Sequence, residues 1–245
     1  MCPVGHPSPV RAIVGSARFL VAGLLDVAFP PKCHACGRLD TRPLCDACRA
    51  AFADIHPPAC VRCGSPGADL CRSCRERPPF RFERAVGAGS FEGALRAAIL
   101  RLKYHGRVRL AEPLGDYLAE ALGRAGDLGI EVVAPVPLHW SRLRQRGFNQ
   151  SELLARPVAA ALGAPLEAGA LRRIRRTRAQ ALLRASERER NVRGAFAVAR
   201  PEAVRGRRVL LVDDVLTTLH TVDECARVLM EAGAHAVVAA GVAHG

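Results

Sequence analysis

Lysine, tyrosine and tryptophan are scarce in this chain of 245 residues. Only Lys32 and Lys103 are lysines among its 36 basic residues, and it has two tyrosines and one tryptophan. Few rings are left to stack against bases, so any contact with single-stranded nucleic acid is expected to depend on phosphates. The net charge of +13 favours polyanionic partners such as nucleic acid or pyrophosphate. The nucleotide composition of a genome explains the arginine content equally well, so charge alone does not decide.

Long apolar runs are also absent. The best one, residues 19–25, is bounded by Arg18 and Asp26, and its length excludes a transmembrane helix and stable membrane insertion. The segment ends in Pro-Pro-Lys-Cys rather than in a small-residue cleavage pattern, so a signal peptide is not expected. We interpret residues 1–28 as an N-terminal helical segment packed on the body. We expect a cytoplasmic protein whose thiols stay reduced.

Eight of the ten cysteines form four Cys-x-x-Cys pairs within residues 29–76. These are Cys33, Cys36, Cys45, Cys48, Cys60, Cys63, Cys71 and Cys74. Each pair places two thiolates on one tight turn, and two such turns complete a tetrahedral cage for Zn²⁺. Spacers of eight and seven residues favour sequential pairing into a double zinc ribbon with two structural zinc ions. Disulfides and an iron–sulfur cluster are the alternatives, and a reducing compartment disfavours disulfides.

Residues 84–245 alternate apolar runs with amphipathic segments, a pattern typical of an α/β domain with a parallel sheet flanked by helices. The strand candidates are RAVGAGS, VVAPVPLH, ALRRIR, GAFAV, VLLV and AVVAAGV. One residue fits poorly. Pro157 lies inside the helical pattern NQSELLARPVAAALG and is predicted to kink or split that helix.

Two adjacent carboxylates, Asp213 and Asp214, follow the buried strand pattern VLLV and precede a helix. Ligands of open α/β sheets bind beyond the carboxyl ends of the strands, where a helix N-terminus also attracts anions. A carboxylate pair followed by threonines can hold the diol and the phosphate of a ribose phosphate. We expect Thr221 to cap the helix in a capping box with Glu224, and Gly233 to end it.

Arginines are concentrated in two further segments. The predicted loop HWSRLRQRGFNQ brings Arg142, Arg144 and Arg146 to the end of a strand, where guanidinium groups could bind a pyrophosphate. A solvated arginine-rich loop is the alternative. Nine arginines also occupy residues 172–193, with Glu187 and Glu189 as the only acidic residues. That segment is either a helix surface with i,i+4 ion pairs or a stripe that follows phosphates.

Several of these segments resemble known motifs. The segment VLLVDDVLTTLHT is similar to the phosphoribosyl pyrophosphate (PRPP) motif of type I phosphoribosyltransferases. Other segments resemble the ComF family, whose members are double-zinc-ribbon proteins associated with competence for DNA uptake. These segments are CHACGR through CRSC, LKYHGRVRLAEPLG, PVPLHWSRLRQRGFNQSELLA and RRTRAQALLRASERERNVRGAF. The resemblance implies a type I phosphoribosyltransferase-like fold over residues 84–245.

The resemblance also implies a ligand site. Asp213 and Asp214 would bind the ribose hydroxyls and would be the catalytic pair if catalysis occurs. The 5′-phosphate would lie on the loop formed by Thr217, Thr218, Leu219, His220 and Thr221. Mg²⁺ would accompany PRPP, and Lys103 joins Arg142, Arg144 and Arg146 as a candidate for the pyrophosphate. Leu219 stands where the family motif has glycine, which predicts weak PRPP affinity.

Two functions follow from the resemblance. The first is a PRPP-site protein that handles incoming single-stranded DNA during natural transformation, with weak electrostatic DNA binding and with a helicase or other competence proteins as partners. The alternative is an active phosphoribosyltransferase of nucleotide salvage. No residue in the sequence identifies an acceptor base.

Overall fold

The computed structural model describes residues 30–177 and 190–245. The predicted N-terminal helix over residues 1–28 lies outside this range, as does the middle of the arginine-rich segment. No helix within the described residues is long and apolar enough to cross a membrane.

The chain begins with a cysteine-rich head of two similar halves. Each half has a turn that carries one Cys-x-x-Cys pair and a short helix that begins at the next pair: α1, Asp46–Ala50, and α2, Arg72–Glu76. One isolated antiparallel bridge closes each half, between Lys32 and Leu39 and between Ala59 and Pro66. The two halves of the head therefore repeat one structural unit.

The larger domain follows the head and alternates strands with helices. Its strands are β1 (Arg84–Ser90), β2 (Val132–Pro135), β3 (Leu171–Arg173), β4 (Phe196–Val198), β5 (Arg208–Leu216) and β6 (Ala236–His244). Its helices are α3 (Gly93–Tyr104), α4 (Ala111–Arg124), α5 (Trp140–Arg146), α6 (Gln150–Leu162) and α7 (His220–Glu231), with short 3₁₀ turns at Val108–Leu110 and Pro201–Ala203.

Four strands form one parallel sheet in the order β1-β6-β5-β2. Helices α3, α4 and α6 cover one face of this sheet, while α7 and a separate antiparallel pair, β3 with β4, cover the other. The central strands β5 and β6 are apolar on both faces, as expected for strands buried between two layers. The predicted α/β class with a helix-flanked parallel sheet is confirmed. The strand candidates ALRRIR and GAFAV contain β3 and β4, which lie outside that sheet.

The cysteine-rich head covers the outer edge of β1. Backbone N–H groups of Ile55, Ser90 and Ala85 donate to carbonyls of Ala88, Ala53 and Arg62 respectively, at 2.8–2.9 Å. Open strand edges expose unpaired backbone groups that invite aggregation. The head therefore completes the backbone pairing of the sheet.

Pro157 does not split its helix. Helix α6 runs without interruption from Gln150 to Leu162 and contains the proline. Its ring packs against Gly115 of α4, where a Cβ would approach Pro157 Cγ to 2.3 Å. The expectation of a split was wrong because close packing of two helices compensates for the backbone hydrogen bond that proline cannot make.

Candidate functional site

The eight paired cysteines form two groups, Cys33 with Cys36, Cys45 and Cys48, and Cys60 with Cys63, Cys71 and Cys74. Within each group the four Sγ atoms lie within 4.8 Å of one another. The distance is 3.8 Å between Cys33 and Cys48 and between Cys36 and Cys45, and 3.7 Å between Cys63 and Cys71. A tetrahedron with Zn–S bonds of about 2.3 Å has edges of nearly that length.

The cysteine groups therefore fit two structural zinc sites, with the sequential pairing that the spacing predicted. All nine cysteines in the described residues carry free thiols, so the disulfide alternative is not realised there. Backbone N–H groups of Ala35 and Cys45 donate to Cys33 Sγ, both at 3.4 Å. Such donors stabilise negative charge on a metal-binding sulfur.

Asp213 and Asp214 lie near the carboxyl end of β5. Asp213 Oδ1 accepts hydrogen bonds from Ser151 Oγ and from the Asp214 N–H, both at 2.9 Å. Asp214 Oδ1 accepts from the Val215 N–H at 2.7 Å. Within the described part of the chain, Asp213 Oδ2 has no partner. Asp213 thus keeps one carboxylate oxygen available to a ligand.

Lys103 forms an ion pair with the buried carboxylate Asp214. Its Nζ lies 2.7 Å from Asp214 Oδ2, and the two side chains are 18% and 5% exposed. Burial opposes the charged form of Lys103, but the Asp214 carboxylate outweighs it and raises the pKa of Lys103. The lysine that the sequence singled out for pyrophosphate is thus joined to the carboxylate pair.

The pKa of Asp213 is raised above the usual value for a carboxyl group. Burial raises the pKa of Asp213 to about 7, and the adjacent Asp214 carboxylate adds to the rise, whereas Lys103 and the hydrogen bond from Ser151 oppose it. Perturbed carboxyl groups of this kind are concentrated at functional sites. Asp213 therefore changes charge close to neutral pH.

The loop after β5 leads directly into α7. This helix begins at His220, and its N-cap residue is Leu219. The prediction that Thr221 is the N-cap was therefore wrong, because Thr221 lies inside the first turn. The Glu224 carboxylate accepts instead from the Gly194 N–H at 2.7 Å and pairs with Arg227, so no capping box forms. Gly233, with φ +92°, ends the helix as predicted.

Leu219 has a φ of 64°, and it is the only non-glycine residue with positive φ in the described residues. The motif glycine position thus does require the left-handed region, which costs a leucine roughly 1–2 kcal/mol. The leucine side chain is buried, with 5% exposure. Nearby, the Thr218 hydroxyl is shielded from solvent and has no hydrogen-bond partner among the described residues.

Two of the three predicted arginines lie beside Lys103. Arg142 and Arg146 line a cavity of about 330 Å³ together with Lys103 and Tyr104. They lie on helix α5 rather than on the loop that the sequence predicted, because His139 caps this helix by accepting from the Ser141 N–H. Arg144 is not part of the cavity lining and instead lies over the Trp140 ring.

Sequence reasoning missed Ser151 and Arg173. Ser151 is fully buried at the start of α6, and only its position after the N-cap Asn149 marked it. Arg173 of β3 donates to the Thr177 hydroxyl and lies 5.1 Å from the centre of the Phe196 ring. Burial lowers the pKa of Arg173, and Arg142 lowers it further. It was one of nine arginines in a segment with nothing to distinguish it.

The cysteine-rich head matches a known protein family. A family model described as "Double zinc ribbon domain" matches residues 24–76. The predicted double zinc ribbon is therefore confirmed.

Curated relatives match most of the chain. DNA utilization protein YhgH of Escherichia coli (strain K12) is 35% identical over 202 residues, covering 79% of this chain and 87% of that protein. Competence protein F of Haemophilus influenzae is 30% identical over 208 residues, covering 82% and 90%. The chain belongs to the ComF family. Competence protein ComFC of Bacillus subtilis, 24% identical, matches 80% of this ComF-family chain and 81% of its own length.

Solved structures match the ComF-family chain over a smaller part. The allosteric regulatory enzyme of purine biosynthesis is 26% identical over 53% of this chain, with a TM-score of 0.37, and the match spans 25% of that enzyme. Glutamine PRPP amidotransferase from Bacillus subtilis is 22% identical over 58% of this chain, with a TM-score of 0.39 and 30% coverage of that enzyme. The matched part of this chain therefore spans less than a third of either enzyme.

Proposed function

We propose that this ComF-family protein binds PRPP, or a related phosphoribosyl ligand, beyond the carboxyl end of β5, and that the site serves the handling of single-stranded DNA during natural transformation. The observation that carries the proposal is the position of Asp213 and Asp214 near the carboxyl end of a buried parallel strand, shortly before the threonine loop that opens α7. Membership of a family whose curated members include competence protein F supports the second part.

The free groups at the site suit a ribose phosphate. Asp213 Oδ2 can accept from a ribose hydroxyl, and the unpartnered Thr218 hydroxyl can donate to a phosphate oxygen. The N-terminal N–H groups of α7 add donors beside the same loop. Asp214 is already engaged by Lys103, so a diol would have to share that carboxylate or displace the lysine.

Lys103 is positioned to take part in such an exchange. It lines the cavity with Arg142 and Arg146 while it pairs with Asp214. A pyrophosphate in the cavity would offer Lys103 an alternative anion and would release Asp214 for the ribose. Mg²⁺ bound with PRPP would supply further positive charge between the pyrophosphate and the diol, and Asp213 is the carboxylate with an oxygen left for it.

A phosphoribosyl transfer is a second candidate, and the three cations around one cavity favour it. Displacement of pyrophosphate at C1 builds negative charge on the leaving group, and preorganised cations stabilise that charge. Lys103, Arg142 and Arg146 would hold the leaving pyrophosphate, while Asp213 orients the ribose. A pyrophosphate-release assay with a panel of bases tests this candidate, since only an active transferase forms product.

Calorimetric titration with PRPP and Mg²⁺ tests the binding site. We expect measurable but weak binding by the unaltered protein, and Asp213→Asn should reduce the affinity by about tenfold or more, because it weakens a charge-assisted hydrogen bond. Asp46→Asn, on the exposed surface of the head, is the matched control and should leave the affinity unchanged. Equal affinities of all three proteins would refute the site.

The role in transformation requires a test in cells. A naturally competent bacterium that lacks its own ComF-family gene should regain transformation with this chain but not with the Asp213→Asn variant. Normal transformation with that variant, at equal protein level, would show that the carboxylate pair is not needed for DNA handling.

A further inference from the structure

Four of the eight large hydrophobic side chains that are exposed among the described residues lie on two adjoining segments. Trp140 is 61% exposed and Leu143 is 42% exposed on helix α5, while Tyr104 is 68% and Val108 43% exposed at the end of α3 and just beyond it. Scattered single residues of this kind are normal, but a cluster marks an interaction surface. The only tryptophan of the chain and one of its two tyrosines belong to this cluster.

Each exposed ring has an arginine beside it. The Arg144 guanidinium carbon lies 5.9 Å from the centre of the Trp140 ring, and that of Arg146 lies 5.4 Å from the centre of the Tyr104 ring. The segments 101–109 and 139–149 contain no acidic residue. Within the described chain, Arg107, Arg142, Arg144 and Arg146 form no ion pair with a carboxylate. This surface therefore combines exposed aromatic rings with arginines that pair with no carboxylate of the described residues.

The two segments meet at one place. Tyr104 and Gly106 from the first segment, and Arg142 and Arg146 from the second, line the cavity of about 330 Å³ described above. Trp140 and Arg144 lie about one helical turn apart on the side of α5 away from Arg142 and Arg146, given 3.6 residues per turn. A chain that passes over this short helix would meet first one ring and then the other.

We propose that residues 104–108 and 140–146, the Trp140–Tyr104 surface, bind single-stranded DNA by stacking bases on the two rings while the arginines contact phosphates. Sequence-tolerant binding of single strands combines these two elements. The inference rests on the proposed DNA-handling function and adds the location and the mode of binding. It revises the expectation from composition that contacts would depend on phosphates alone.

An apolar protein partner fits this surface less well. Tyrosine, tryptophan and arginine are also enriched at protein–protein interfaces, but the absence of acidic residues from segments 101–109 and 139–149 makes a regular polyanion the better match in charge. The flat faces of unpaired bases and the regular negative charge of the backbone complement the observed alternation of ring and guanidinium. Single-stranded DNA is therefore the occupant that the chemistry favours.

Fluorescence anisotropy with labelled oligonucleotides separates stacking from charge. A thymidine oligonucleotide should bind about a hundredfold more tightly than an abasic one of equal length and charge, because stacking on both rings is removed with the bases. Trp140→Leu and Tyr104→Leu should each remove about tenfold of the affinity for the thymidine strand and leave that for the abasic strand unchanged. Leu39→Ala, at a residue 73% exposed on the head, is the matched control.

The unaltered protein offers an independent readout, since Trp140 is its only tryptophan and is the sole source of tryptophan emission. Binding of the thymidine strand should quench this emission, while the abasic strand should quench it much less. Equal affinity for both strands, or binding without quenching, would overturn the inference and leave the surface to a protein partner. If neither strand binds while PRPP does, the DNA-handling part of the proposed function fails together with it, and the PRPP site stands.

Discussion

Leu219 is subject to two opposing effects. Its left-handed backbone, with φ 64°, carries strain that a glycine would not. Its side chain is buried in the apolar layer that also contains Leu216 and Val222, so the leucine contributes to the core. The isobutyl group therefore lies in the protein interior. The backbone and the Cβ are what a phosphate at this loop would meet.

We predict that Leu219→Gly is more stable than Leu219→Ala, although both are less stable than the unaltered protein. Both variants lose a buried side chain, a change that costs about 2–5 kcal/mol. Only glycine also relieves roughly 1–2 kcal/mol of backbone strain. Denaturant unfolding measures the difference. PRPP affinity should rise in Leu219→Gly but not in Leu219→Ala, and tight PRPP binding by all three proteins would show that the loop tolerates leucine.

The raised pKa of Asp213 makes ligand binding dependent on pH. The proton is bound more tightly in the folded than in the unfolded protein, so the stability it contributes is complete below the usual carboxyl pKa of 3.8 and is lost as pH rises through about 7. PRPP affinity should show the reverse trend and increase from pH 6 to pH 8, since a diol needs the ionised carboxylate.

The Ser151→Ala variant separates the titration of Asp213 from that of the phosphates of the ligand, which also titrate in this range. The hydrogen bond from Ser151 lowers the pKa of Asp213. Its loss should move the midpoint of the affinity profile to a pH about one unit higher. Calorimetry across pH measures both profiles, and coincident midpoints would show that Asp213 does not control binding.

The residues of the site were only partly predictable. The order carboxylate pair, threonines and helix identified Asp213, Asp214 and Thr218 because these neighbours lie within one short segment. The ion pair of Lys103 with Asp214 and the hydrogen bond from Ser151 join helices distant in sequence to β5. A local pattern contains no information on such contacts, because they depend on how the helices pack on the sheet.

At the scale of elements, the head and the sheet form one hydrogen-bonded unit. Arg49 of α1 links them further, with its guanidinium 2.9 Å from Glu120 of α4 and 4.2 Å from the centre of the Tyr117 ring. The Tyr117 hydroxyl shares its one proton between Asp54 Oδ1, at 2.8 Å, and the Ala88 carbonyl, at 2.9 Å. Loss of the head would uncover the edge of β1 and break these contacts.

Removal of zinc is therefore expected to destabilise the whole protein. Structural zinc supplies about 10 kcal/mol or more to small zinc domains. Elemental analysis of the protein should give two zinc ions per chain, one for each cysteine group. Strong chelators should lower the melting temperature and cause aggregation through the exposed β1 edge.

Single cysteine variants give the control for this prediction. Cys33→Ser and Cys60→Ser should each reduce the zinc content to about one ion per chain, because each disrupts one tetrahedral site. Cys225→Ala, at a buried thiol of α7 outside both groups, should keep two. One zinc or none in the metal-replete, reduced protein would contradict the assignment.

Most helices and strands could be predicted from the periodicity of apolar residues in the sequence, and the two exceptions have physical causes. The strands and the helices over residues 84–104 and 208–244 match the apolar patterns because burial on two faces selects them. The start of α7 differed because Leu219 adopts a conformation that is rare for leucine. Helix α6 continued through Pro157 because Gly115 allows a close approach of α4. The first cause is an unusual backbone conformation at a single residue, and the second is a contact between residues distant in sequence.

On the scale of the whole molecule, the net charge of +13 is unevenly distributed. Acidic residues pair with arginines on the head and along α7, as Arg42 does with Asp40 and Arg227 with Glu231. Among residues 30–177 and 190–245, no carboxylate pairs with the arginines of the Trp140–Tyr104 surface, so their charge is available to a polyanion. Electrostatic attraction should therefore concentrate DNA at the side of the molecule that holds the carboxylate pair.

Binding of single-stranded DNA should be weak, independent of sequence and sensitive to salt. With four phosphate contacts on a single strand, the logarithm of the association constant should fall with the logarithm of salt concentration with a slope of about −3. Arg144→Gln should reduce the steepness by about 0.7. Arg72→Gln, whose arginine is ion-paired with Glu76 on the head, should leave the slope unchanged. A slope near zero would exclude phosphate contacts.

The central claim is that a phosphoribosyl ligand binds beyond the carboxyl end of β5. A crystal structure of the protein grown with PRPP and Mg²⁺ tests it most directly, because it locates the ligand as well as detecting it. We expect the ribose hydroxyls at Asp213 and Asp214, the 5′-phosphate at Thr218 and the N-terminus of α7, and the pyrophosphate facing Lys103, Arg142 and Arg146. A ligand bound elsewhere, or an unchanged Lys103–Asp214 pair with no ligand at saturating PRPP, would contradict it.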